Sequence, residues 1–307
     1  MMKYELTEGE WIGFFNTLSL AAKINHDITS SANGGKNSTG IVDRNTVTWD
    51  ALNSSLPAET SRPSRPVSYV SWPDVAAFAD WAGLRPMTEL EYEKAARGVD
   101  VNSIADEFAW GSNTYNAATS EGIFPSNQDE NGSEAIFDGT TNLNRNDLGW
   151  TSGDGRAGAS AQGQKGPLRA GIFAENSTSR VTSGAGYYGN MELSGNLAEP
   201  IVTIGRLEGR QFLGTHGDGE LSTVSGNEGY ATNVDWPGID SADARKGVHK
   251  TIGIGYRGGD FQSSNIRDFQ ISSRTFASKD PDSMGLKQRR DASSGIYYGG
   301  RLVRTSR

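Results

Sequence analysis

Apolar residues recur at helical spacing in three places. Thr7-Glu8-Gly9-Glu10 pairs a capping threonine with a glutamate three positions on, and Trp11, Phe14, Phe15 and Leu18 follow. This predicts a helix from about Glu8 to Ala22. Ser71-Trp72-Pro73-Asp74 opens a second helix with the stripe Val75, Phe78, Ala79 and Ala82, and Gly83 ends it. Thr88-Glu89-Leu90-Glu91 starts a third, in which Leu90, Lys94 and Ala95 keep the spacing and Gly98 stops it. Glu93 and Arg97, four apart, suit an ion pair. Extended signals are fewer: Val47-Thr48-Trp49, Ile201 to Ile204, and a closing strand from Tyr297 to Arg304.

Between these elements Gly, Ser, Asn and Asp dominate. From Asp100 to Ser183 the pattern is mostly loop, with Trp110, Phe124, Phe137 and Trp150 as anchors. So long a stretch is either a functional loop or a misassigned region. No repeat of fixed period and no linker appears, so residues 1–307 read as one domain.

Composition agrees with a loop-rich fold: 39 Gly and 10 Pro, with 35% hydrophobic residues, in 307 positions. The 7 Trp, 10 Tyr and 11 Phe suit loops pinned to a core by large side chains. A net charge of −8 argues against nucleic acid and against a basic membrane surface. It leaves room for carboxylates that hold divalent cations. No run of eighteen apolar residues exists, and the start lacks a signal-peptide core, so Met1 is not expected to be the natural beginning. The absence of cysteine removes disulfides, thiolate catalysis and Cys-based zinc sites. Of His26, His216 and His249, the loop residue His216 beside Asp218 is the best candidate for a base, against the commoner role of satisfying loop carbonyls.

Five segments, taken in order, carry a resemblance. They are Pro66 to Trp72, Leu84 to Gly98, Leu193-Ser194-Gly195-Asn196-Leu197-Ala198-Glu199, Arg257-Gly258-Gly259, and Gly300-Arg301-Leu302-Val303-Arg304. Together they resemble the formylglycine-generating, or sulfatase-modifying factor, family from Tyr4 to Arg304. The resemblance implies an α+β, irregular, C-type-lectin-like fold: loop-rich, with two or three short helices packed on small antiparallel sheets. Its first strand is expected before Met1 or from another chain.

The family's enzymes oxidise a substrate cysteine through a copper-binding cysteine pair. The approximate positions of that pair hold Ser263 and Asp268 here. A hydroxyl and a carboxylate are hard ligands that do not select copper(I), and neither forms a mixed disulfide. The reading is therefore no copper, no catalytic residues and no enzyme. The resemblance also implies one Ca2+ in the Glu192 to Glu199 loop, with side-chain oxygens of Glu192 and Glu199 and backbone carbonyls of Gly195 and Leu197. Glu192 departs from the shorter Asp or Asn common at its position. A second calcium would begin at Asn116. From spacing alone, the same loop is an ordinary turn with two exposed glutamates.

Lectin-like relatives display ligand-contacting residues ahead of the closing strand. That makes Asn265, Arg267, Phe269, Arg274, Lys287, Arg289 and Arg290 contact candidates, with a solvated loop as the plain alternative. The expected function is a non-catalytic, calcium-stabilised module of a bacterial or phage surface assembly, extracellular or at the cell surface. It would bind protein or glycan, or copies of itself in an appendage, without nucleic acid or membrane insertion. The alternatives are a divergent enzyme with Ser263, Asp268 and His216 in one pocket, and a purely structural subunit of a polymer.

Overall fold

The computed structural model describes residues 1–99, 102–113, 116–117, 150–151, 166–174, 179–261, 263, 265–278, 290–291 and 296–305. Within them the fold is a mixture of short helices and two-stranded sheets linked by long ordered loops.

The helix expected from Glu8 to Ala22 is two helices, α1 (Glu8–Phe15) and α2 (Leu20–His26). The reason is local. Asn16 closes α1, and Ser19 then caps α2 by accepting the Ala22 N–H, so the chain restarts where the apolar spacing looks continuous. The other two predicted helices appear at their expected places. α3 (Trp72–Trp81) opens on a Ser71–Asp74 capping box, and Gly83 follows at φ +64°. α4 (Glu89–Arg97) opens on a Thr88–Glu91 box. Glu93 and Arg97 pair at 3.3 Å, and Arg97 also grips the buried Glu107.

The strands are shorter than predicted. β1 (Arg85–Pro86) pairs antiparallel with β8 (Leu302–Val303). β2 (Asn116–Ala117) runs parallel to β3 (Trp150–Thr151). β4 (Glu199–Val202) pairs antiparallel with β5 (Ile254–Arg257), and β6 (Arg290–Asp291) with β7 (Ile296–Tyr297). The strand expected around Val47 is a single bridge between Thr48 and Glu59. The run expected from Tyr297 to Arg304 divides at Gly299-Gly300, where Gly300 O accepts the Leu6 N–H and Leu302 O the Met2 N–H. Two further short helices, α5 (Arg180–Ser183) and α6 (Leu207–Arg210), sit in the loops.

Aromatic side chains build the main core. Trp11, Phe14 and Phe78 interlock, with Phe14 edge-on to Phe78 at 5.8 Å between centroids. Trp72, Trp236 and Phe261 are buried in the same cluster, so helix α3 is tied to distant loops. Asp80 performs a similar task with polar groups: its carboxylate accepts N–H groups from Asp218, Gly219 and Thr232.

The capping box of α4 offers a modest test. Thr88 Oγ1 accepts the Glu91 N–H at 3.2 Å, and Glu91 Oε2 accepts the Thr88 N–H at 3.0 Å. Thr88→Ala is expected to lower stability by about 1 kcal/mol, read from urea unfolding. An unchanged midpoint would contradict the cap's role.

Candidate functional site

Strand β5 delivers the site. Gly255 lies so close to Ala277 that a Cβ would stand 1.9 Å from its carbonyl oxygen, and Tyr256 N–H donates to Phe276 O at 2.9 Å. The 276–277 segment is thereby held against the strand. Tyr256 stacks face to face on Tyr298, with centroids 3.9 Å apart. After Arg257 the chain turns through Gly258 and Gly259, at φ +95° and +70°. A Cβ on Gly259 would meet the Phe269 ring at 2.7 Å, so only glycine lets the next segment close over the turn.

Asp260 then locks that turn. Its Oδ1 accepts the Ser263 N–H at 3.0 Å, its Oδ2 accepts the Tyr297 N–H at 2.9 Å, and its own N–H donates to Ser263 Oγ at 3.1 Å. Asp268 lies on a 3-10 turn, Ile266–Phe269, capped by the Asn265 side chain. Burial pushes the Asp268 carboxyl above its ordinary value. Ser263 and Asp268 line one small pocket with Ala198, Tyr256, Gly259 and Phe276. Both positions thus border the same pocket. The cavity measures about 10 Å³, the room of a single water.

His216 is not part of this pocket. Its Nε2 accepts the Thr305 N–H at 3.1 Å, beside the end of β8. His26 is buried against Asp74 at 2.7 Å, and His249 faces Gly247 O and Asp240. The set Ser263, Asp268 and His216 is thus not assembled, because the 214–219 loop is anchored to Asp80 and Leu84 instead.

The Glu192 to Glu199 loop lies on the other side of Gly258, whose carbonyl accepts the Gly195 N–H. Glu192, Gly195 and Asn196 all take positive φ, which folds the loop tightly. Its two glutamates are buried, not exposed as a plain surface turn would leave them. Glu192 Oε1 accepts the Gly171 N–H at 2.8 Å, and Glu199 Oε1 accepts Arg301 Nε at 2.7 Å. The Oε2 atoms of both are buried and, among the described residues, have no hydrogen-bond partner.

A third buried carboxylate, Glu5, accepts Asn196 Nδ2 at 2.6 Å and the Leu197 N–H at 3.0 Å. Arg301 is the cation among them. Its guanidinium also donates to the carbonyls of Met2, Lys3 and Met191. Burial pushes Glu192 up to about 7 against the pull of Arg301, and raises Glu5 and Glu199 as well. With all three ionised, Glu5, Glu192 and Glu199 outnumber Arg301, and Arg169 adds a weaker pull on Glu192. Among the described residues no three His, Asp or Glu side chains converge as a metal-binding set. The two orphaned carboxylate oxygens are nonetheless hard donors of the kind calcium takes, alongside backbone carbonyls. Asn116 is placed only as part of β2.

The contact candidates divide. Asn265 and Arg267 are exposed beside the pocket, together with Ile266. Phe269 is not at the surface: it is 1% exposed and packs with Phe108 and Trp110, since the 3-10 turn carries it inward. Arg274 is half-exposed but held by Glu89, at 2.7 Å from Nε to Oε1, beside the buried pair of Arg257 and Glu89. Lys287 and Arg289 lie outside the described residues, and Arg290 is placed only through its backbone in β6.

Sequence reasoning missed Glu5, Asp260 and the pairing role of Arg301. A charged residue between Gly300 and the apolar pair Leu302-Val303 was the available signal, since such a position is usually buried.

The family model described as sulfatase-modifying factor enzyme 1-like domain matches residues 1–155, ending before the Gly258 to Asp268 segment. A formylglycine-generating enzyme of Thermomonospora curvata is 50% identical over 50 residues, 16% of either chain. One from Streptomyces coelicolor is 50% identical over 52 residues, 17% of this chain and 16% of that relative. One from Bos taurus is 46% identical over 50 residues, 16% of this chain and 13% of that relative. The aligned part thus spans about a sixth of the length of these curated relatives. The expectation that the chain is not an enzyme is overturned by these matches, because the family and its named relatives are enzymes. The absence of thiols constrains which chemistry is available but does not remove the chain from an enzyme lineage: it belongs to the sulfatase-modifying factor enzyme 1-like family.

Proposed function

We propose that this chain recognises a protein or glycan ligand on the surface above the Ser263–Asp268 pocket, as a calcium-stabilised module of a bacterial or phage surface assembly. The observation that carries the reading is the filled pocket. Tyr256, Phe276 and the Asp260–Ser263 turn leave about 10 Å³, too little for a substrate side chain, while Asn265, Ile266 and Arg267 stand exposed beside it. A filled, rigid floor under an exposed polar rim suits contact with a large ligand better than enclosure of a small one. Freedom from cysteine suits an oxidising, extracellular setting, where a stray thiol is a liability. Calcium would be held by Glu192 and Glu199 with the carbonyls of Gly195 and Leu197, and would supply positive charge to a buried, carboxylate-rich loop.

A second reading is favoured by the family and by one observation at the pocket. Asp268 is a carboxyl whose proton is held more tightly than usual, in the lining of the same pocket as Ser263. That combination suits a divergent enzyme in which Asp268 donates a proton to a bound ligand and Ser263 orients it, with no thiol involved.

One experiment separates the readings. The purified chain and an Asn265→Ala, Arg267→Ala variant are passed over glycan and surface-protein panels, and each captured ligand is examined for chemical change. Recognition predicts a hit that the variant weakens about tenfold or more, with the ligand intact. A ligand altered by the wild type but not by Asp268→Asn establishes the second reading. No captured ligand, or equal capture by the variant, overturns the first.

A further inference from the structure

A larger cavity lies elsewhere, between α6 and the loop from Val234 to Ile252, and shares no residue with the pocket below Gly258. Its volume is about 450 Å³, inside the range of small-molecule sites. Val234, Pro237, Ile239 and Ile252 give it apolar walls, and Glu208, Asp235 and Lys250 bring charges of both signs to its lining. The charge of Lys250 also acts on Asp240, whose carboxyl is held below its ordinary value chiefly by the N–H groups of Ala242 and Asp243.

The cavity is held in shape by its backbone. Trp236 Nε1 donates to Thr215 O at 3.0 Å, Trp72 Nε1 donates to Pro237 O at 2.9 Å, and Lys250 N–H donates to Gly238 O at 3.0 Å. Gly238 is at φ +87°, where a Cβ would stand 2.0 Å from Lys250 O, so this close approach requires glycine. Asp235 is occupied in the same work: its carboxylate accepts the N–H groups of Leu213 and Thr215 and the Thr215 hydroxyl. Gly253, just ahead of β5, sits close under Glu208 of α6, with only 3.0 Å between its Cβ position and Glu208 Cβ. Glu208 and Lys250 thus stem from rigid backbone. A site with fixed walls binds without the cost of ordering itself.

Opposite charges on a largely apolar cavity suit a ligand with opposite charges and an apolar body. We propose that this cavity binds a short apolar peptide with free termini, its ammonium group at Glu208 and its carboxylate at Lys250. A single amino acid leaves most of 450 Å³ empty, whereas a dipeptide of leucines fills much more of it and contacts the apolar walls. Each terminus would gain a charge-assisted hydrogen bond in a partly dry setting. The proposal stands independently of any activity at Ser263 and Asp268.

The probe is Leu-Leu, titrated into the full chain by calorimetry and by chemical-shift mapping. Saturable binding is expected, with shifts at Val234 and Ile252. N-acetylated and C-amidated Leu-Leu should each bind about tenfold more weakly, the loss of one charge-assisted contact. Glu208→Gln should abolish the difference between free and acetylated peptide while keeping that between acid and amide, and Lys250→Gln should do the reverse. The absence of saturable binding to the wild type, or equal affinity for the doubly blocked peptide, overturns the proposal. The comparison of blocked peptides on the wild type needs no variant, so a variant that fails to fold does not shelter the idea.

Discussion

Arg301→Met is expected to cost the fold about 3–5 kcal/mol, the usual result of removing one partner from a buried ion pair. Arg301 is 0% exposed and is the counter-charge for Glu5, Glu192 and Glu199 at once. Methionine fills similar space, so the loss is electrostatic and not a cavity. Without the guanidinium, Glu199 Oε1 and Met191 O lose the donor they share in Arg301, while Met2 O keeps Asn190 Nδ2 and Lys3 O keeps the Met191 N–H. The residues involved come from the first few positions, from the 191–199 loop and from the segment joining β7 to β8, so the consequence is loss of closure between the chain's two ends. At about 2 °C per kcal/mol for a chain this large, the melting temperature should fall by roughly 6 °C or more. Glu199→Gln added to Arg301→Met should recover part of the loss, because the worst-stranded charge is then gone. A single variant that melts within a degree of wild type would show that Arg301 is not the keystone of this cluster.

How far the sequence announces all this depends on the kind of signal. The starts of α3 and α4 were legible because capping is chemistry of four adjacent residues, Ser71 with Asp74 and Thr88 with Glu91. The break between α1 and α2 was not, because Ser19 competes with an apolar pattern that runs through it. Strands failed in length for a related reason. β4 and β5 are four residues each and buried on both faces, so they show no alternation, and glycines interrupt the closing segment. At the site, family spacing points to Ser263 and Asp268, which border one pocket, yet the small volume of that pocket has no signal in the sequence. Its lining runs from Ala198 to Phe276, and no local pattern carries that. Phe269 was misplaced because a polar run around it suggested surface, while one turn of 3-10 helix aims it at Trp110. Glu5 is buried beside the Glu192 to Glu199 loop from nearly two hundred positions away, so its burial there is a property of the fold alone.

That shared burial makes stability depend on pH with a definite sign, and calcium should change it. Glu192 titrates near 7 in the fold against an ordinary value of 4.5, because burial disfavours its charged form. Between these values the folded chain holds more protons than the unfolded one, so stability falls as pH rises. Below about 4.5 the group contributes no penalty, and above about 7 the penalty is complete, about 3 kcal/mol by linkage. Glu5 and Glu199 are raised as well and act in the same direction. Lys36, lowered to about 8 by burial, acts oppositely, but only above pH 8. In EDTA the melting temperature should therefore drop between pH 5 and pH 8, by several degrees. Glu192→Gln keeps an oxygen for the Gly171 N–H and removes the charge, so it should raise the pH 8 melting temperature towards the pH 5 value. Calcium, bound by the ionised oxygens, should stabilise the wild type at pH 8 by about 2.7 kcal/mol when present at a hundred times its dissociation constant. The variant should lose that response, having gained in EDTA what the wild type gains from the ion. A wild-type melting temperature that does not move between pH 5 and 8 in EDTA contradicts the electrostatic account. One that falls with pH but ignores calcium leaves Glu192 as a structural acid and removes calcium from the proposed function.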